Sequence, residues 1–306
     1  MVLILIIWIL ALISAVIFGW AQEWRSEIRL AANFRGKQIS RNLAEAGIHY
    51  ALFKLEEARQ FRRGRGQEPE DSARLLWQGD QELHVLELPG GQVEIRVDDE
   101  AGKINLNRAQ EQILTQLFAA LGYKGNDLEV IVASIQDWRD NDMLTRLHGA
   151  EGDYYRTLEP PYIPQNGPFA TVEELAWVRG LGQSPLLPQL SRWLTVQKTS
   201  YINVNTAPVP VLEALGMSKD QAWTVIEARN TALLRQRRDL PILSQDQSSR
   251  GFRQRLGFRS SPFYTIVAKG TSQNPRAQHV IKAIVRIMHR KSSSWEMLYW
   301  ADDYPG

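Results

Sequence analysis

The sequence predicts an α+β protein. A long N-terminal helix, membrane-embedded over its first third, packs on a small antiparallel sheet that carries a large inserted all-α block. Three observations predict it. The first twenty-one residues, MVLILIIWILALISAVIFGWA, contain no charged side chain. No proline interrupts the chain from Gln22 to Arg59. Alternating, β-rich stretches then lie on both sides of a long helical block, at 83–97 and 264–300.

A run of about twenty apolar residues spans the ~30 Å hydrocarbon core of a bilayer. Gly19-Trp20-Ala21 also offers the small-x-small pattern of signal-peptide cleavage, but no basic region precedes it and the apolar run is long for a signal. Arg25, Arg29, Arg35 and Lys37 follow the run, and taken alone they hint at a cytoplasmic body. Beyond the membrane, Ile28, Leu30, Phe34, Ile39, Leu43, Ala46, Tyr50, Phe53 and Phe61 recur mostly at gaps of three and four, the spacing of an amphipathic helix. Gly36 and Gly47 each cost ~1 kcal/mol relative to Ala, so a break at Gly36 is the competing reading.

Composition narrows the function. The 306 residues carry a net charge of +2, which lacks the basic excess of most nucleic-acid-binding domains. Cysteine is absent, which excludes a disulfide framework, a thiolate metal site and a Cys nucleophile. The five histidines form no HxH or HExxH pair, and neither a nucleophile elbow nor a P-loop occurs, so an enzyme is not expected.

After a linker at 61–69, two alternating runs flank Pro89-Gly90-Gly91 and read as a β-hairpin over 83–97. Asp98, Asp99 and Glu100 follow as a second acidic cluster and read as a polar strand exit. Helices are expected at 110–121, ending at Gly122, and at 127–138, with Asn126 or Asp127 as N-cap. A polar loop runs over 139–168. Thr171 and Glu174 form a capping box for a helix over 171–179, and 185–194 is another short helix. A second linker covers 235–261. Strands return at 264–270, 278–289 and 295–300.

Two signals stand out within the block. Lys103-Ile-Asn-Leu-Asn-Arg-Ala109 is echoed by Tyr201-Ile-Asn-Val-Asn-Thr-Ala207, and each copy leads into a helix-turn-helix stretch. The second copy is similar to helix-hairpin-helix units that present backbone N–H groups to DNA phosphates, so a membrane-anchored DNA-binding protein is the alternative function. Its hairpin, Gly216-Met-Ser-Lys-Asp220, lacks paired glycines and offers one lysine. In the 139–168 loop, Asp140, Asp142, Glu151 and Asp153 lie around a glycine turn. Hard cations take several oxygen ligands at flexible spacing, so these four are the candidate metal ligands; a solvated acidic loop is the competing reading.

Together these stretches resemble the general secretion pathway protein K family, minor pseudopilins of the type II secretion system. The resemblance covers nearly the whole chain. It rests on the N-terminal apolar helix, the 98–107 stretch DDEAGKINLN, the 137–142 stretch DWRDND with Gly149-Ala-Glu151, Tyr154-Tyr155, Pro161-Tyr162, Glu173-Glu-Leu175 and the 201–207 echo. It implies a pseudopilin fold with an insertion of two SAM-like modules. The expected division is 1–21 for the membrane part, 22–102 for the remaining helix and first strands, 103–200 and 201–262 for the modules, and 263–306 for the closing strands.

The resemblance further implies a non-enzymatic protein in the inner membrane, single-pass, with its body in the periplasm, against the charge hint. Its implied role is to cap the pseudopilus tip, initiate assembly and support protein secretion. The implied partners are minor pseudopilins I and J, with H, the inner-membrane assembly platform, membrane lipid and secreted proteins as further candidates, and no nucleic acid. It also implies Ca²⁺ in the insertion, favouring Asp140, Asp142, Glu151 and Asp153. Two departures appear. No basic leader precedes the apolar run, so either Met1 lies at the mature end or the start is misassigned. Leu5 stands where most pseudopilins carry a glutamate, as is usual for protein K. That leaves the chain less reason to dock beneath another subunit, since unpaired charge in lipid is costly.

Overall fold

The computed structural model describes residues 2–63, 77, 79–241, 255–288 and 295–304. The first linker from 64 on, the 242–254 part of the second and the expected strand end at His289 lie outside these residues.

Helix α1, Val2–Arg63, is continuous and about 90 Å long at 1.5 Å per residue. Its apolar N-terminal window has a mean hydropathy of 3.0 and touches nothing else in the fold. The other half packs on one face of a five-stranded antiparallel sheet of order β1-β2-β7-β8-β9. The strands are β1 Asp80–Leu88, β2 Gly91–Asp99, β7 Phe263–Ser272, β8 Ala277–Ile287 and β9 Trp295–Asp302. Ala44, Ile48, Ala51, Leu52 and Leu55 of the helix meet Val93, Ile95, Ile266, Ala268, Ile281, Ala283 and Val285 of the sheet, all buried. Alternation along β2 explains why this face is inward: Val93, Ile95 and Val97 are buried while the residues between are half-buried.

The helix does not break at its glycines. A Cβ at Gly47 would lie 2.6 Å from Val93 Cγ2 and 3.1 Å from Ala268 Cβ, and one at Gly36 would lie 2.8 Å from Pro275 Cγ. Both glycines let the helix axis approach the sheet, so the packing they permit offsets their propensity cost.

Between β2 and β7 lies the insert. Asp99 pairs with Tyr264 in register, so the chain leaves and re-enters the sheet side by side. This keeps the two strands neighbours despite the long excursion. The first helical unit holds β3 Ile104–Asn105, α2 Glu111–Ala120, α3 Gly125–Arg139, α4 Gly152–Arg156 and β4 Leu194–Thr195. The second holds β5 Ile202–Asn203, α5 Val209–Ala214, α6 Lys219–Thr231 and β6 Leu256–Gly257. β3 pairs in parallel with β4, and β5 with β6. Both units share one hydrophobic core, running from Ile104 through Phe118, Ile135 and Leu194 to Val211, Val225 and Leu256.

Three local expectations change. Helix α3 starts at Gly125 with Lys124 as N-cap, and no side chain caps it. The 171–179 stretch keeps its Thr171–Glu174 capping box but forms a 3-10 turn over Val172–Trp177. The 185–194 stretch likewise forms a 3-10 turn over Leu187–Arg192, with Pro188 at its start.

Gly47→Val tests the close approach. Replacement should destabilise the fold by ~1–3 kcal/mol in denaturation of the detergent-solubilised chain, because the overpacking penalty exceeds the helix-propensity gain. A neutral or stabilising result would contradict the packing.

Candidate functional site

The candidate cation ligands lie just beyond the C-terminus of α3. Trp138, buried there, packs edge-on against Tyr155 and stacks on Phe169, which holds the following loop in place. Asp140, Asp142 and Glu151 come together so that one oxygen of each lies within 4.8 Å of the others. Glu151 is 3% exposed, and neither of its carboxylate oxygens has a hydrogen-bond partner. Asp140 Oδ1 and Asn166 Oδ1 are also buried and unpartnered. Buried, unpaired oxygens such as those of Glu151 and Asp140 are costly unless a cation or water completes them. The donor set, three carboxylates, suits a hard cation.

Electrostatics agree. Burial pushes the Glu151 carboxyl above its usual pKa, and Asp137, Asp140 and Asp142 add to the effect; Asn166 is near enough to oppose it slightly, without a hydrogen bond of ordinary geometry. Arg146 supplies part of the missing charge. Its guanidinium bonds Asp137 Oδ1 at 2.7 Å and also Asp140, and both contacts raise its own pKa. Gly149 is required below it, since a Cβ there would lie 2.0 Å from Asp137 Oδ2. Asp153 is not brought to the group. Its side chain is fully exposed and pairs with Arg156 at 3.0 Å, because it projects outward from the first turn of α4. Asp137, Arg146 and Asn166 went unselected in the sequence, and only the DWRDND run offered a signal for the first.

The sequence echo has a counterpart in the structure. Asn105 Oδ1 accepts from Asn107 N, and Asn203 Oδ1 from Asn205 N. Asn107 bonds both backbone groups of Phe169, and Asn205 bonds the backbone of Leu234 the same way. Arg139 donates to the carbonyls of Leu106 and Ala109, and Arg229 to those of Val204 and Ala207. In each unit, therefore, an arginine near the end of the second helix pins the loop that opens the unit. Burial lowers the Arg229 pKa to about 10.

The acidic run at the end of β2 is a buried cluster rather than a plain polar strand exit. Asp98, Asp99, Glu100 and Lys103 are all buried. Lys103 Nζ lies 3.1 Å from Asp98 and 2.7 Å from Glu100. Burial opposes its charge, yet the two carboxylates outweigh burial and the pKa rises. Glu100 also accepts from Thr195 of the insert and Thr265 of β7. Asp99 accepts from Ala101 N, Ser261 N, Ser261 Oγ, Asn203 Nδ2 and Thr206 Oγ1. Burial still raises the Asp99 pKa, with these bonds working against it. The partners come from residues about 100 and 160 positions away, so local sequence carried no sign of them.

The DNA-binding alternative gains nothing from the second hairpin. Ser218 caps α6 by accepting from Gln221 N, while the Gln221 side chain accepts from Ser218 N, so two of its backbone donors are already used.

Two family models, each described as type II secretion system (T2SS), protein K, match residues 94–199 and 202–259, together more than half of the chain. The chain is similar to type II secretion system protein K of Pseudomonas aeruginosa, 29% identical over 248 residues, 74% of this chain and 71% of the relative. It is also similar to type II secretion system protein K of Klebsiella pneumoniae, 30% identical over 137 residues, 44% of this chain and 40% of the relative. Among solved structures, a chain in the GspK-GspI-GspJ complex of the enterotoxigenic Escherichia coli type 2 secretion system matches with a TM-score of 0.59. That match covers 84% of this chain and 96% of the other at 17% identity, and so concerns the fold.

Lys103→Met should cost about 3–5 kcal/mol in chemical denaturation, because Asp98 and Glu100 would be left buried without a counter-charge. A loss under about 1 kcal/mol would show that water or another cation serves them.

Proposed function

Because the chain belongs to the type II secretion system protein K family, we propose that it caps the tip of the pseudopilus, starts its assembly and binds minor pseudopilins I and J there. It is a non-enzymatic minor pseudopilin of that system, with one N-terminal membrane span and a body that extends into the periplasm.

One observation carries the tip position. Along the stem, Gly36 lies beside the β7–β8 turn at Pro275, and Arg59 bonds the Met288 carbonyl at the end of β8. Asp99 and Phe263, where the insert opens, are at this second end, the end away from the lipid. The insert therefore sits where a further protomer would have to stack, and its breadth supports a terminal position. A complex of a relative named with GspI and GspJ supports the choice of partners. Protein H, the assembly platform, lipid and exported cargo are further partners under this proposal.

We read the two helical units as SAM-like modules and the acidic group as a Ca²⁺ site held by Asp140, Asp142 and Glu151, with Asn166 Oδ1 as a further oxygen. The ion would neutralise the carboxylates and tie Glu151, at the start of α4, to Asp140 and Asp142 beyond α3. This chain's own residues do the positioning: Trp138 fixes the loop, and Arg146 holds Asp137 and Asp140.

Two outcomes test the proposal. Ca²⁺ should raise the melting temperature of the chain, since a ligand that binds only the folded state stabilises it. Asp142→Ala should reduce the rise, and Glu151→Gln should reduce it while stabilising the metal-free protein by removing a like charge. Equal melts in Ca²⁺ and chelator would end the assignment. Separately, the chain should co-purify with the I and J proteins of its own system; failure at high micromolar concentration would count against the tip role.

A further inference from the structure

The first helical unit meets the sheet at a second place, far along the chain from the Asp98–Lys103 cluster. Lys282 of β8 is 3% exposed, and its neighbours Ile281 and Ala283 face the stem helix. Its ammonium turns the other way, toward the insert, where Glu173 of the Val172–Trp177 turn pairs with it. Glu173 is the one carboxylate paired with Lys282 among the described residues, and the Tyr304 ring centre lies 4.7 Å from the same ammonium. Seating the turn on the sheet covers this ammonium and supplies its counter-charge. Lifting the turn removes both and admits water. A buried ion pair gains little over its solvated parts, so the firmness with which the turn is held decides how often it lifts.

The turn is held from its other end by the segment that carries the acidic group. Glu151, whose carboxylate meets those of Asp140 and Asp142, is also the residue from which α4 starts. Tyr155 of α4 is fully buried, and its phenol oxygen accepts from Arg179 N at 3.2 Å. Arg179 Nη1 donates to the Gly149 carbonyl at 2.9 Å, and the guanidinium lies 4.6 Å from the Tyr154 ring centre. Tyr162 donates its hydroxyl to the Trp177 carbonyl at 2.6 Å and its backbone N–H to the Tyr155 carbonyl. Residues 149–155 thus form the seat for 177–179. The same seat bears the buried, unpartnered Glu151 carboxylate, and without a cation the Asp140 and Asp142 charges repel it.

We propose that cation binding at Asp140, Asp142 and Glu151 is coupled to the Glu173–Lys282 pair. The ion steadies the 149–155 seat, and Arg179 carries that hold to the turn that covers Lys282. The element with two states is the 172–179 segment, seated on β8 or lifted from it. The cation favours the seated state, because the backbone that brings the three carboxylates together is the backbone that receives Arg179. The proposal rests on the cation reading given above. It adds what the ion regulates, namely how firmly the far side of the first unit is fastened to the sheet. By linkage, the seated turn favours the ion in return.

The test uses the detergent-solubilised full chain in Ca²⁺ or in chelator. Calorimetry records whether Ca²⁺ binds. Acetylation by an N-hydroxysuccinimide ester, read at Lys282 by peptide mass spectrometry, reports how often the turn lifts, since a covered and paired ammonium does not react. Saturating Ca²⁺ should slow acetylation of Lys282 at least about fivefold, the lower end of ordinary coupling between sites, and leave that of exposed Lys219 unchanged. This comparison needs no substitution. Arg179→Ala removes the bridge and none of the three carboxylates, so that variant should still bind Ca²⁺ and lose the slowing. Glu173→Gln should raise the Lys282 rate in chelator. Ca²⁺ binding with an unchanged Lys282 rate, slowing that survives Arg179→Ala, or no rise in Glu173→Gln overturns the coupling while the cation site stands. Absence of calorimetric binding overturns the site and the coupling together.

Discussion

Everything distal in this protein hangs on a few buried charges at the end of β2. Asp98, Asp99, Glu100 and Lys103 leave water where the insert departs from the sheet. Desolvating four charged groups is expensive, and an ion pair repays it only with complete hydrogen bonding. Here the bonding is nearly complete: Asp99 receives five donors, and Glu100 joins β3's neighbourhood, the insert and β7. Such a cluster adds little net stability over apolar packing. What it adds is direction, because each bond has a preferred geometry and the partners come from three parts of the chain. The cluster fixes the insert on the sheet.

The two helical units explain how the joint is built. They open with the same Ile-Asn-x-Asn loop and pin it with an equivalent arginine, yet the first asparagine in each has a different task. Asn105 Nδ2 bonds the backbone of Gln197, closing its own unit. Asn203 Nδ2 bonds Asp99, tying the second unit to the sheet. One loop type thus serves as an internal clasp in one copy and as an anchor in the other. The converging acidic group, by contrast, belongs to the first copy: Arg139 is followed by Asp140, whereas Arg229 is followed by Asn230.

The legible parts of the sequence were those set by short-range patterning. Apolar spacing gave the stem, alternation about Pro89-Gly90-Gly91 the hairpin, and Val/Ile content the strand expected at 278–289, which forms over Ala277–Ile287. Misreadings arose where distant residues decide. Gly36 and Gly47 look like weak points within the helix, but Pro275 and Val93 make them contact points. Asp98-Asp99-Glu100 reads as a polar strand exit because its donors, Asn203, Ser261 and Thr265, are far along the chain. Of the four acidic residues chosen for a cation, three converge and Asp153 does not, since helical projection in α4 turns it outward. Arg139 and Arg229 were readable in principle, as each closes the second helix after an echoed motif.

Amide hydrogen exchange in the full chain tests the rigid joint most directly. Ala101 N and Ser261 N both donate to buried Asp99. If the joint fixes the insert to the stem, these two amides exchange only through the opening that also releases the core amides of β2 and β7. Exchange of both at the rate of exposed loops, while β2 and β7 stay protected, would mean that the insert swings freely and would contradict the account.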